Sequence, residues 1–235
     1  MWFGVVTIFP EMFGAIKDYG INKRAINRGL AQLNLYNPRD YAVDKHATVD
    51  DRPYGGGPGM VMKVEPLLHS IVAAKRDSGH LKKIPVICLS PQGKKIVQED
   101  LRECIKQQEG IIFVCGRYEG IDERVCELAI DDEWSIGDFI LSGGELAAMA
   151  FIDAIIRLIP GSLGDPDSFS EDSFGEDKLL DYPHYTRPKC VYGLEVPKVL
   201  LSGNHEFIAN WRQEQRLMRT KTRRKDLLGG QEYDI

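Results

Sequence analysis

The chain has 235 residues, of which 43% are hydrophobic and 28% charged, and its formal net charge is −5. This composition is typical of one large globular domain, or of one domain with a smaller appendage. No apolar run approaches the roughly 20 residues that span a bilayer, and residues 1–5 lack the basic start of a signal peptide, so we expect a cytoplasmic protein without a membrane partner.

The first part of the chain alternates β-rich runs with helical patterns. Residues 2–9 and 34–41 are typical of strands, and residues 19–33 and 64–75 are typical of helices. Between these, residues 53–60 contain four glycines and two prolines, which excludes regular structure there. That loop lacks the Gly-Lys-Ser/Thr ending of a phosphate-binding loop, and no G-x-G-x-x-G motif follows a strand, so kinase-like and dehydrogenase-like functions lose their main support.

Three strand-turn-helix units follow in the middle of the chain. Their strands, turns and helices are predicted at 84–89, 90–93 and 94–108, then at 111–115, 116–120 and 122–129, and finally around 135–145 with a helix over 146–159. Such a succession predicts an α/β fold with a mainly parallel sheet covered on both faces. Ligands of such sheets bind beyond the carboxyl ends of the strands, so we expect one pocket built from the three turns.

The third turn is the most informative, because Gly137, Gly143 and Gly144 allow the backbone to approach a ligand closely. Ser142 and Glu145 have the spacing of a capping box, which predicts that they begin the helix that follows. Without its two companions upstream, this segment would indicate only a tight strand-to-helix turn.

The last part of the chain separates its charges. Residues 161–181 carry seven acids and one base, whereas residues 211–225 carry seven bases and one acid. The acidic stretch is poor in aliphatic residues and is typical of a linker, and the basic stretch belongs to a helical module that Asn204 is expected to cap. We therefore predict an N-terminal domain at 1–160, a flexible acidic linker at 161–180 and a small, mainly helical domain at 181–235. The basic helix is either a phosphate-binding surface or a solvated face.

Cysteines and histidines indicate no metal site. The five cysteines form no C-x-x-C pair, and the five histidines are scattered. A disulfide scaffold and a zinc cluster are therefore not expected.

Several motifs together match one family. They are Gly-Arg-Tyr-Glu-Gly-Ile-Asp at 116–122, the segment 135–145, Glu-Asp-Ser-Phe at 171–174, the segment 183–188, and Leu-Ser-Gly-Asn-His at 201–205 with Trp211 and Arg212. The chain resembles the bacterial tRNA (guanine-N1)-methyltransferases of the SPOUT class, nearly end to end and in the family's order.

The resemblance implies a fold and an activity. SPOUT enzymes carry a deep trefoil knot at the C-terminal part of an α/β domain, and this family works as a homodimer with active sites at the subunit interface. It transfers a methyl group from S-adenosylmethionine to N1 of the tRNA guanosine directly 3′ of the anticodon, when another guanosine precedes it. The implied partner is tRNA rather than DNA. Magnesium assists in the family, but no ligand cluster for it is visible here.

The resemblance also assigns residues. It implies a base in Asp172, a cation that stabilises guanine O6 in Arg157, and a contact to the guanosines from Glu119. Asp181 is implied to approach the pocket from the partner subunit. The implied methyl-donor contacts are Leu89, Pro91, Gly116, Tyr118, Ile136, Gly137, Asp138, Phe139, Ile140, Leu141, Gly143 and Gly144.

We expect Arg212 and Arg216, on the basic helix, to bind tRNA. Each assignment has a structural alternative: Arg157 lies four residues after Asp153, at ion-pair spacing on a helix, and Asp172 is one acid among several in a solvated stretch. Two alternative functions also remain. One is a SPOUT RNA methyltransferase of different site specificity, and the other is an inactive homologue that only binds RNA.

Overall fold

The computed structural model describes residues 1–79, 84–163, 172–175 and 177–229. The chain forms two compact units, Met1–Gly164 and Asp165–Ile235. The predicted division at residues 160 and 180 stays a prediction, because residues 164–171 and Glu176 of the proposed linker lie outside the described residues.

The first unit is built on a five-stranded sheet in which every pairing is parallel. Its strands are β1 (Trp2–Val6), β2 (Gln32–Tyr36), β5 (Val86–Lys95), β6 (Gly110–Cys115) and β7 (Asp132–Ser135). Their order across the sheet is β2-β1-β6-β5-β7. Two short strands, β3 (Asp50–Asp51) and β4 (Val61–Met62), pair separately on either side of the glycine-rich loop. The predicted α/β class and parallel sheet are confirmed.

Helices cover both faces of this sheet. They are α1 (Gly14–Lys17), α2 (Gly20–Asn27), α3 (Val64–Asp77), α4 (Gln98–Gln107), α5 (Glu123–Ala129) and α6 (Glu145–Leu158). Alternate side chains of β1 enter two different cores: Phe3 and Val5 pack with α2, α4 and α6, whereas Trp2 and Val6 pack with α3 and α5. Burial on both faces explains why β6 is an unbroken apolar run.

The prediction that residues 90–93 form a turn between a strand and a helix is wrong. Residues 90–93 were expected to end a strand, with a helix from residue 94, but β5 continues to Lys95 and α4 begins only at Gln98. Leu89 and Lys94 both pair with Trp134, so the residues between them form a bulge in β5, next to the edge strand β7. Gly93 permits this because a Cβ there would lie 2.4 Å from the backbone carbonyl of Glu133.

The predicted helix at 19–33 is also too long. Helix α2 ends at Asn27, since Gly29 adopts a positive φ of 70° and the Leu30 N–H bonds the Ala25 carbonyl oxygen at 2.9 Å. This is a Schellman-type ending, and it releases the chain into β2. The strand predicted at 34–41 accordingly starts earlier, at Gln32, and stops before a 3₁₀ turn at Pro38–Tyr41.

The capping box predicted for Ser142 and Glu145 does not form. Helix α6 does begin at Glu145, but its N-cap residue is Gly144 and no side chain caps it. Glu145 is fully buried and its carboxylate is bound elsewhere in the first unit. The local spacing of Ser142 and Glu145 is therefore overruled by tertiary contacts.

The second unit contains a short hairpin and one long helix. The hairpin pairs β8 (Cys190–Val191) with β9 (Leu194–Glu195), and the helix is α7 (His205–Arg223). The predicted cap is confirmed, since the Asn204 side chain accepts a hydrogen bond from the Phe207 N–H at 3.2 Å. Thr220 is buried on α7 and accepts a bond from the Leu180 N–H at 2.9 Å, which ties the preceding segment to the helix. Across the described part of the chain, no helix has the length and apolarity to cross a bilayer.

Candidate active site

A cavity of about 480 Å³ lies in the first unit, beyond the carboxyl ends of β6 and β7 and beside the bulged middle part of β5. Residues 88–92, 116–121 and 133–144 contribute most of its lining, together with α5 and α6 side chains. The three segments singled out in the sequence therefore meet at one cavity, as expected for ligand sites in parallel sheets. Its volume falls in the ordinary range for small-molecule sites, roughly 300 to 1,000 Å³.

All the donor contacts implied by the resemblance line this cavity except one. They are Leu89, Pro91, Gly116, Tyr118, Ile136, Gly137, Phe139, Ile140, Leu141, Gly143 and Gly144. The exception is Asp138, whose exposed carboxylate forms an ion pair with Lys95. Its side chain is thus engaged outside the cavity.

The turn after β6 has an unusual backbone conformation. Tyr118 has a positive φ of 61°, and Gly120 has a φ of 133°. A tyrosine in the left-handed region is strained, and such strain persists where neighbouring contacts hold it. Here the Glu119 N–H bonds the Met60 carbonyl oxygen at 3.0 Å, and the Met62 N–H bonds the Gly120 oxygen at 3.0 Å. Burial, and then the nearby Asp50 carboxylate, raise the pKa of the Tyr118 hydroxyl.

The turn before α6 supplies an apolar wall. Gly137 has a φ of 153°, and a Cβ there would lie 2.6 Å from the Phe139 ring, so only glycine fits. Phe139 and Ile140 are 54% and 81% exposed, which leaves two large apolar side chains at the edge of the cavity. Backbone groups beside an apolar wall suit a planar heterocycle such as adenine.

Gly143 and Gly144 serve packing between the two turns. A Cβ on Gly144 would lie 2.8 Å from the Cys115 Cα, and the Gly144 N–H bonds the Gly116 oxygen at 3.0 Å. A Cβ on Gly143 would lie 2.2 Å from the Arg117 Nε. These glycines therefore let the second and third turns touch.

Glu119 lies on the same cavity, against the glycine-rich loop. Gly59 has a φ of 83°, and a Cβ on it would lie 2.4 Å from a carboxylate oxygen of Glu119. The loop at 53–60 thus packs on the residue that the resemblance assigns to guanosine recognition.

Arg157 belongs to the first unit but is not among the described residues that line the cavity. It is half-buried in the last turn of α6. Because a helix rises about 1.5 Å per residue, Arg157 lies about 18 Å along the axis from Glu145 at the cavity end. An arginine side chain does not reach that far.

The remaining assigned residues belong to the second unit. Asp172 is half-buried. The Asp181 carboxylate contacts the His184 Nε2 at 2.7 Å and accepts from the Tyr182 N–H at 2.6 Å. Arg212 stacks over the Tyr182 ring, with its Cζ 4.6 Å from the centroid.

Arg216 is tied down within the second unit. Its two terminal nitrogens contact both carboxylate oxygens of Asp177, at 2.7 and 2.9 Å. Both arginines that the sequence predicts to bind tRNA therefore already have partners in their own unit.

The two buried cysteines near the cavity are unreactive thiols. Burial raises the pKa of Cys88 to about 12 and the pKa of Cys115 well above its ordinary value, so neither thiol is a nucleophile near neutral pH. No cluster of three or more histidine, cysteine or acidic side chains suited to a metal occurs in the described ranges.

Sequence reasoning missed a buried group beside the cavity, formed by Thr7, Arg117 and Glu145. The Glu145 carboxylate accepts from the Thr7 hydroxyl and from the Arg117 guanidinium. One signal was present in the sequence: an arginine and a glutamate each lie beside a glycine at a cavity turn.

The chain is similar to known proteins along its whole described length. A family model described as tRNA (Guanine-1)-methyltransferase TrmD matches residues 1–230. The tRNA (guanine-N(1)-)-methyltransferase of Shewanella woodyi is 58% identical over 228 residues, which cover 97% of this chain and 90% of that relative. The protein of the same name from Pseudomonas paraeruginosa is 58% identical over 228 residues, covering 97% of this chain and 89% of that relative. Both matches extend over the two compact units.

Proposed function

This chain belongs to the tRNA (guanine-1)-methyltransferase family, and from that premise we propose that it methylates the N1 nitrogen of a guanosine in tRNA. The guanosine is the one directly 3′ of the anticodon, preceded by a second guanosine. The observation that carries the proposal is the family match along residues 1–230.

The proposed methyl donor is S-adenosylmethionine, bound in the cavity of the first unit. The cavity of about 480 Å³ supports this, because its glycine-containing turns bring backbone close to the ligand space beside the apolar side chains of Phe139 and Ile140. When bound, S-adenosylmethionine supplies an electrophilic methyl group on a positively charged sulfur.

The target atom sets the remaining chemistry. N1 of neutral guanine carries a proton and is a poor nucleophile, so a base must remove that proton while a cation stabilises the charge that develops on O6. We assign the base to Asp172 and the cation to Arg157. The N1–H proton passes to the Asp172 carboxylate, the N1–methyl bond forms, and the bond from sulfur to methyl breaks. Glu119, on the cavity, orients the guanine.

We further propose a homodimer in which the partner completes each site. The position of Arg157, about 18 Å along α6 from the cavity end, supports this because one protomer does not bring it to its own cavity. A trefoil knot is proposed on the family resemblance. We also propose that the enzyme acts in the cytoplasm, with tRNA as its partner.

The activity is tested by mapping the methylated base. A tRNA transcript with the guanosine pair is incubated with the protein and S-adenosylmethionine, and reverse transcription is expected to stop at the guanosine 3′ of the anticodon. A matched transcript with adenosine before that guanosine should give little product. Methylation elsewhere in the tRNA would favour a SPOUT enzyme of other specificity, and binding of tRNA without any methyl transfer would favour an inactive RNA-binding homologue.

The shared site is tested by complementation. Arg157→Ala and Glu119→Ala protomers, each inactive as a homodimer, are co-expressed with different tags and the mixed dimer is purified. We expect activity to return to about half the normal rate, because one of the two sites then contains both native residues. Continued inactivity of the mixed dimer would show that both residues act within one protomer.

A further inference from the structure

Three chain segments meet at the buried carboxylate of Glu145. Its side chain is 0% exposed, and one oxygen accepts a hydrogen bond from the Thr7 hydroxyl at 2.8 Å. The other oxygen accepts from the Arg117 Nε at 2.8 Å. Thr7 follows β1, Arg117 follows β6, and Glu145 begins α6. The network therefore lies at the edge of the sheet that carries the cavity.

Arg117 extends this network to the third turn. Its Nη1 donates to the Ser142 carbonyl oxygen at 3.2 Å, while its guanidinium lies over the Phe9 ring at 4.6 Å. One side chain thus contacts the turn before α6 through Ser142 and the first residue of α6 through Glu145. Arg117 itself lines the cavity, in the turn at 116–120 with Tyr118 and Glu119, whereas Glu145 does not.

We propose that Arg117 and Glu145 are a positioning pair that sets the distance between the two turns on which the methyl donor binds. The inference rests on the proposed function, since it assumes that the donor occupies this cavity. Neither side chain needs to touch the donor, because the pair acts through the backbone of residues 116–120 and 136–144.

Because the ion pair is buried, it holds the two cavity turns at a fixed separation. In a poorly hydrated interior, a charge that loses its partner is strongly disfavoured, so the turns remain at the separation that keeps the ion pair intact. Arg117 is 18% exposed and Glu145 is fully buried, so water does not replace the contact. A surface ion pair would not impose such a constraint.

Gly143 fits the same explanation. A side chain at this position would begin 2.2 Å from the Arg117 Nε and 2.4 Å from its Cδ, so the arginine occupies the space that a Cβ needs. The absence of a side chain at Gly143 therefore follows from the pair. This gives Gly143 a role that requires no contact with the donor.

The test separates positioning from simple stability. We compare Arg117→Met, Glu145→Gln and the double variant with the native protein, measuring the thermal midpoint and the dissociation constant for S-adenosylmethionine by calorimetry. Each single variant should lower the midpoint, because it leaves one buried group without its partner. The double variant removes both charges together, so most of the midpoint should return.

Donor binding is expected not to return with stability. In the double variant the dissociation constant should stay at least tenfold above the native value, because a methionine side chain donates no hydrogen bond to the Ser142 carbonyl and the turns are no longer tied. Native affinity in the stable double variant would overturn the inference and leave the pair a purely structural contact. Arg117→Lys covers the case in which the Arg117→Met variants fail to fold. It keeps the charge but offers one nitrogen for two acceptors, so its affinity should fall about fivefold, and unchanged affinity would again contradict the proposal.

Failure of the proposed function is recognised separately. If the native protein itself gives no heat with S-adenosylmethionine, the donor assignment is wrong whatever the variants do. Thr7→Val is the matched control, because it removes the third member of the network without touching either cavity turn. It should lower the midpoint while leaving the donor dissociation constant within twofold of native.

Discussion

The two compact units differ in the groups that we assign to ligand binding and catalysis. In the first, the cavity is shaped by backbone turns whose glycines permit close approach, and most of its lining is uncharged. In the second, the residues of interest are charged side chains, among them Asp172 and the arginines of α7. A site formed by backbone turns binds its ligand through its shape. A site formed by charged side chains can lose one function when a single residue is substituted. Donor binding and catalysis should therefore be separable by mutation.

The largest effect on methyl transfer is expected from a substitution in the second unit. Asp172→Asn should lower methyl transfer by about 10²- to 10⁴-fold, the usual contribution of a general base. The donor dissociation constant should remain within twofold, since the cavity of the first unit is unchanged. Single-turnover methylation and calorimetry on the same preparation measure the two quantities.

The matched control for Asp172 is Asp167→Asn, which removes the same charge from the same acidic stretch. It should keep nearly full activity. Equal losses in both variants would mean that the acidity of the stretch matters and that no individual carboxylate acts as the base.

The sequence located the cavity because its turns are local features. Three apolar runs, each followed by a glycine-containing turn, predict parallel strands whose carboxyl ends meet, and the structure brings residues 88–92, 116–121 and 133–144 together. Two details of that prediction are wrong, since residues 90–93 continue β5 and the third strand is Asp132–Ser135, ahead of the predicted segment 135–145. The Asn204 cap was also predictable, since its side chain bonds an N–H only three residues along the chain.

Non-local contacts account for what the sequence did not predict. Glu145 has capping spacing relative to Ser142, yet it bonds Thr7, 138 residues away, and Arg117, 28 residues away. Residues 90–93 have turn composition, yet they bulge within β5 because Gly93 packs on the backbone of Glu133. In both cases a partner distant in sequence outweighs the local preference.

A smaller effect is expected from a substitution in the first unit, where two cavity turns touch. Gly144→Ala would bring a Cβ to 2.8 Å from the Cys115 Cα and 3.2 Å from the Leu89 Cβ, so the turn must move. Overpacking of this kind costs about 1 to 3 kcal/mol in the free energy of unfolding. We also expect the donor dissociation constant to rise at least tenfold. Urea unfolding and calorimetry provide both measurements.

Gly116→Ala is the control for this substitution, because its Cβ would meet only the Ile121 side chain, at 3.5 Å. Its stability should change by less than about 0.5 kcal/mol. If Gly144→Ala were equally stable, the close contact between the two turns would not be a structural requirement.

The smallest effect is expected for the ion pair of Arg216, which we compare with the ion pair of Arg117. Arg117 contacts Glu145 at 2.8 Å, and Arg216 contacts Asp177 at 2.7 Å. Glu145 is fully buried, but the Asp177 side chain is 39% exposed. The second pair is therefore hydrated on its acidic side, although the Arg216 side chain itself is only 13% exposed, and we propose that this arginine exchanges the carboxylate for a phosphate. This supports our assignment of Arg216 to tRNA binding.

Opposite changes in tRNA affinity should reveal this exchange. Arg216→Gln should weaken tRNA binding severalfold and reduce the salt dependence by about one phosphate contact, whereas Asp177→Asn should strengthen binding by releasing the arginine. Both should lower the stability by about 0.5 to 1 kcal/mol, as expected for a partly exposed pair. Glu214→Gln removes one exposed negative charge from α7, and should strengthen binding less than Asp177→Asn does. If the Arg216 and Asp177 variants instead weakened binding equally, Arg216 would act on tRNA only by holding α7 in place.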